Sequence, residues 1–160
     1  MPLASGVFSN PEAKQRIKTS AIEDLFPASE HPDTALAGLW LYFCGYDEAH
    51  ALCQDLETPE GCFWHGILHR QEPDASNAAY WFRRVGEHPV YPKILEAASE
   101  ILARYTAPLK LKNRWDGLAF IDFCEAARHK PGSDSEKAAL EIQRAEWQIL
   151  FDYCARPPQK

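Results

Sequence analysis

His65 and His69 are the residues whose type and spacing most directly suggest chemistry in this chain. On a helix, side chains at i and i+4 stack on one face, so both imidazoles can reach a single ion or ligand. Between Cys62 and His88 the sequence adds Arg70, Glu72, Asp74, Asn77, Tyr80, Arg83, Arg84 and Glu87. Guanidinium groups grip carboxylate and phosphate bidentately. The leading expectation is therefore a polar pocket for a small anionic ligand, contacted by His65, His69, Arg70 and Arg84, with Asn77 and Tyr80 orienting them.

A different class of function is a metal-dependent, hydrolase-like enzyme. His65 and His69 would ligate a divalent metal ion, with Glu72 as first candidate for a third ligand and Asp74, Cys62, His50 or a more distant group as others. The residues between the histidines are Gly66, Ile67 and Leu68, so the general-base glutamate of an H-E-x-x-H motif is absent. A Cys62–His65 nucleophile pair would need good alignment, which i, i+3 on one helix does not give. No serine elbow, phosphate-binding loop or dinucleotide fingerprint occurs. A third class is an interaction module without a chemical site, in which each imidazole simply hydrogen-bonds a neighbouring carboxylate or carbonyl.

These residues must be positioned by helices. Val occurs only at 7, 85 and 90, there are four Thr, and no stretch alternates with period two, so strands are not expected. Thr58-Pro59-Glu60 combines a cap, a first-turn proline and an acidic first turn; the helix it opens should run to about Gln71 and stop before Pro73. At 100° per residue, Phe63, Trp64, Ile67 and Leu68 share an apolar face and the two histidines lie opposite. Gly61 and Gly66 flank the histidines, where small residues admit a close backbone neighbour. Asp74 or Ser76 caps the next helix, which Gly86 ends; its apolar face is Ala78, Trp81, Phe82 and Val85, with Asn77, Tyr80 and Arg84 as a polar stripe. The connection is short, so the two helices should form an antiparallel hairpin.

The segment Phe63-Trp64-His65, His69-Arg70, Glu72, Asp74, Asn77, Tyr80-Trp81, Arg83-Arg84 and Gly86-Glu87-His88-Pro89 resembles the signature of an uncharacterised all-helical protein family. That resemblance implies a helical fold and brings no activity, cofactor or catalytic residue.

Other helix signals flank this hairpin. Asn10-Pro11 opens a first helix, and Ser20 with Glu23 forms a capping box for a short piece ending before Pro27. Asp33 caps a core helix carrying Leu36, Leu39, Trp40 and Phe43. Gly45 should break it, and Asp47 should start a continuation to Leu56. Pro92 opens a helix with Ile94, Leu95, Ala98, Ile101, Leu102 and Tyr105 on one stripe. Residues 106–114 read as a basic loop, Asp116 caps a helix to about Arg128, and Ser133-Asp134-Ser135-Glu136 caps a last helix over about 135–155. The expected fold is all-α: an irregular bundle of seven or eight helices in a single domain over 1–160, with 1–9 and 156–160 as frayed tails. Trp40, Phe43, Trp64, Phe82, Ile101 and Ile149 should be buried.

Composition sets outer bounds. With 160 residues, 46% of them apolar and 12% aromatic, the chain can bury a full core without a covalent staple. A net charge of −6 argues against nonspecific nucleic-acid binding. Five cysteines, an odd number with no C-x-x-C pair, argue against a disulfide framework and suit a reducing cytoplasmic compartment. The longest apolar stretch, 36–46, is too short for a membrane span, and residues 1–10 lack the pattern of a secretory signal. No membrane partner is expected, and the pattern sets no oligomeric state.

Overall fold

The computed structural model describes Leu3 and residues 10–157. Among them the chain forms nine helices and no strand: α1 (Pro11–Thr19), α2 (Ile22–Leu25), α3 (Pro32–Tyr42), α4 (Tyr46–Cys53), α5 (Pro59–Gln71), α6 (Ala75–Val85), α7 (Tyr91–Leu102), α8 (Gly117–Arg128) and α9 (Asp134–Ala155). The count exceeds the expected seven or eight because α2 and α4 stand as separate helices. No helix among the described residues is long and apolar enough to cross a membrane.

Most boundaries follow from capping chemistry. Orphan N–H groups at helix starts are taken by side chains of Asn10, Thr58, Asp74, Asp116 and Ser133, as local donor–acceptor matching demands. Gly86 ends α6 with φ 68°, a left-handed value that costs glycine nothing. Other signals resolve differently. Asp33 lies inside the first turn of α3, after Pro32, and His31 takes the cap position without a side-chain bond. Ser20 turns back to the Arg16 carbonyl at the end of α1 instead of capping α2. The residue that breaks α3 from α4 is Cys44, at φ 63°, and Gly45 follows at φ −83°.

At the centre lies α5, which packs against α3, α4 and α6, while α9 closes the other side against α3, α7 and α8. Every residue of α5 from Glu60 to Gln71 is buried. Such a helix is ordinarily apolar all round; this one carries Glu60, His65, His69, Arg70 and Gln71 into the interior. Trp40, Trp64, Phe82 and Ile101 are buried as expected, whereas Phe43 and Ile149 are only partly covered. Of the expected tails, Leu3 is held: its side chain is buried and its carbonyl accepts from Arg128 at 2.6 and 3.2 Å. The rest of 1–9, and 158–160, lie outside the described residues.

Candidate metal centre

The polar residues of α5 point in three directions, and each direction is answered by a different helix. Glu60 meets the buried His88, 3.4 Å away, which holds its carboxyl down to about 2. Arg70 turns toward α9. The histidines turn toward α4 and α6.

Arg70 was expected among the ligand contacts, and the structure removes it from them. Its guanidinium is fully buried, pairs with Glu146, and donates through Nε to Gln143 Oε1 at 3.2 Å. Trp115 Nε1 donates to the other Glu146 oxygen at 3.2 Å, and the Phe120 ring lies 4.6 Å from Arg70 Cζ. Seven residues separate Arg70 from Phe63, so the helical period puts it on the apolar side. Its partners are a buried carboxylate and amide, and no ligand can reach it.

His65 and His69 do share a face, with ring centroids 4.8 Å apart. A third imidazole, His50 from α4, approaches at 4.9 Å from His65 and 5.5 Å from His69. One nitrogen of each of the three rings lies within 4.8 Å of the others. Nitrogens bound to one tetrahedral zinc ion stand about 3.4 Å apart with bonds of about 2.1 Å, so modest ring rotations would close the set. The third member is therefore His50. Glu72, the first candidate for that place, sits behind His69: its carboxylate accepts from Nδ1 at 3.0 Å, and the Asn77 amide lies 3.4 Å from the same nitrogen. A carboxylate can only accept, so Nδ1 carries the proton and Nε2 keeps the lone pair. This carboxylate–histidine contact is how a ligating imidazole is usually oriented.

Burial keeps the rings neutral. His65 is 2% exposed; desolvation, with the neighbouring His69 and His50, holds its pKa down to about 4. His69 is also lowered by burial, against the opposing pull of Glu72. Both are in the protonation state that binds metal ions at neutral pH. Nδ1 of His65 is buried with no hydrogen-bond partner among the described residues. Trp81 stacks on the His65 ring at 3.9 Å with planes 14° apart and covers one of its faces.

Tyr80 and Arg84 form a separate, exposed pair: Arg84 donates to the Tyr80 hydroxyl at 3.4 Å, reaches Glu57 at 3.4 Å and lies over Trp81. No hydrogen bond joins either residue to His65 or His69 among the described residues. Gly61 and Gly66 admit close neighbours as expected, but of two kinds. Gly61 faces the Leu56 carbonyl, and Gly66 faces the Phe82 ring, where a Cβ would lie 2.7 Å from it. His65 and His69 are buried, and of the three rings His50 alone lines an open cleft of about 370 Å³, together with Asp47, Ala51, Gln54 and Glu72.

No family model matches the chain, and neither does a curated protein or a solved structure.

Proposed function

We propose that the chain binds a divalent transition-metal ion of the zinc class through His50, His65 and His69, and that the centre serves a hydrolytic reaction in the adjoining cleft. The observation that carries this reading is the approach of three imidazoles to within 4.8 Å, two of them buried and held neutral. A buried ring nitrogen without a partner, as at His65 Nδ1, costs free energy that a metal bond would remove. Imidazole donors suit zinc, copper, nickel and iron over magnesium or calcium. Structural zinc sites close with four protein ligands, whereas three ligands and an open position are the catalytic pattern. His50 belongs both to the cluster and to the cleft wall, which supports an open position on that side. A zinc-class ion would supply a bound water of pKa about 7, a nucleophile at neutral pH.

The metal reading is preferred to a small anionic ligand because Arg70 is sealed in the core and the cleft wall carries the carboxylates of Asp47 and Glu72. Elemental analysis after purification without chelators, followed by zinc titration of the stripped protein, tests the proposal. One equivalent should bind and raise the melting temperature, and His50→Ala and His65→Ala should each lose that response. A folded wild-type protein indifferent to zinc, copper, nickel and iron would return the lead to an interaction module.

A further inference from the structure

We infer that the cleft beside the histidines selects substrates carrying a positively charged group such as an ammonium, with Asp47 as its counter-ion. This rests on the metal-centre reading and adds the substrate class. The cleft is open to solvent over most of its extent, so it would hold one end of a small molecule beside His50 and leave the rest in water. Asp47, His50, Ala51 and Gln54 recur at i, i+3, i+4 and i+7, so one stripe of α4 and its C-cap forms most of the wall, and Glu72 at the end of α5 completes it. No lysine or arginine lines it.

The two carboxylates are not equivalent. Glu72 is engaged by His69. Asp47 has no ion-pair partner among the described residues, and Lys14 and Lys18 both pair with Glu48, at 3.0 and 3.3 Å. Asp47, in the first turn of α4, thus presents a negative charge without a cationic partner to the cleft, three residues (about 4.5 Å along the axis) from His50. A molecule reaching the metal from the cleft would have its second functional group beside that charge. An ammonium there gains an ion pair; a carboxylate there meets repulsion with no basic side chain to offset it.

Cobalt(II) in place of zinc makes ligand exchange visible in the absorption spectrum. Three hydroxamates of matched length then serve as probes: β-alanine hydroxamate, with an ammonium; propionohydroxamate, neutral; and succinate monohydroxamate, with a carboxylate. The ammonium probe should bind about three- to fivefold more tightly than the neutral one, the range of an exposed ion pair, and the carboxylate probe more weakly than both. Asp47→Asn should leave the cobalt spectrum unchanged and collapse the series to equality, as should 1 M salt. Equal affinities in the wild type, or a preference that survives in Asp47→Asn, overturn the inference. So does a cobalt-loaded protein that binds none of the probes, although its metal centre would stand. A protein that takes up no cobalt fails the underlying metal reading as well.

Discussion

His69 and Arg70 are neighbours in the sequence, yet a turn of about 100° per residue sends them to different sides of one buried helix. On the Arg70 side a charge is enclosed and answered. Glu146 pairs with it, Gln143 accepts from its Nε, Trp115 donates to the other Glu146 oxygen and aromatic rings lie alongside, while its Nη1 has no hydrogen-bond partner among the described residues. On the histidine side three rings crowd together without charge, one buried nitrogen lacks a partner among the described residues, and a cleft leads outward. Both sides are polar and buried, so burial alone does not tell them apart. What separates them is the company each keeps: Arg70 faces a buried carboxylate of opposite charge, whereas His65 and His69 face another imidazole, His50.

The largest effect should come from opening the closed side. Glu146→Leu strands Arg70 as an uncompensated charge, and breaking one partner of a buried pair costs about 3–5 kcal/mol. The double variant Arg70→Met/Glu146→Leu should recover much of that loss, because two apolar chains can replace the pair. Urea unfolding measures both. Zinc affinity of the folded protein should hardly change. A loss below about 1 kcal/mol for Glu146→Leu would mean that the pair is not what anchors α5 to α9.

On the open side, stability should depend on metal and proton. Saturating zinc at 100 times its dissociation constant should add about 2.7 kcal/mol, and His65→Ala should abolish that increment. In the metal-free protein, His65 has a folded pKa near 4 against an ordinary 6.5. Between those values the unfolded chain binds the proton and the folded chain does not, so stability falls as pH drops, by up to about 1.4 kcal/mol per unit. His69 is shifted in the same direction. Glu60 behaves differently: its depressed carboxyl loses stabilisation only as pH falls from about 4.5 toward 2. Chemical denaturation in the presence of a chelator should therefore show losses beginning below pH 6.5. These should be reduced in His65→Phe. A wild-type profile flat down to pH 4.5 would contradict the neutral, buried rings.

Much of this architecture could be read from local chemistry. The caps at Asn10, Thr58, Asp74, Asp116 and Ser133 involve contacts within three residues, and the shared face of His65 and His69 needs only helical periodicity. His50 could be no more than one name among several, because its arrival depends on how α4 packs against α5, and no spacing encodes that. Arg70 differs from its expected place for another reason. Its residue type suits an anion, but its seven-residue spacing from Phe63 puts it on the apolar face. A matching signal lay in α9, where Gln143 and Glu146 interrupt the buried stripe of Ala139, Ile142, Trp147 and Leu150. Buried complementary charges on two apolar stripes are a pairing rule that requires both helices to be considered together.

The smallest expected effect sharpens the comparison most, because it concerns the one carboxylate that touches both the histidine cluster and the cleft. Glu72 accepts from His69 Nδ1 at 3.0 Å and is half-exposed at the C-terminal end of α5. If it orients and polarises a ligating ring, Glu72→Gln keeps an acceptor oxygen at that nitrogen but removes the charge. Outer-shell partners of this kind are worth tenfold or more in metal affinity. Half-exposure weakens the contact toward the lower end, so zinc should bind about tenfold less tightly, with the metal-free stability scarcely altered. Two other results would redraw the site. Complete loss of zinc binding would make Glu72 a direct ligand and close the position that the cleft is proposed to reach. Unchanged affinity would show that the His69–Glu72 contact stabilises only the helix end, leaving the three rings to hold the ion without outer support.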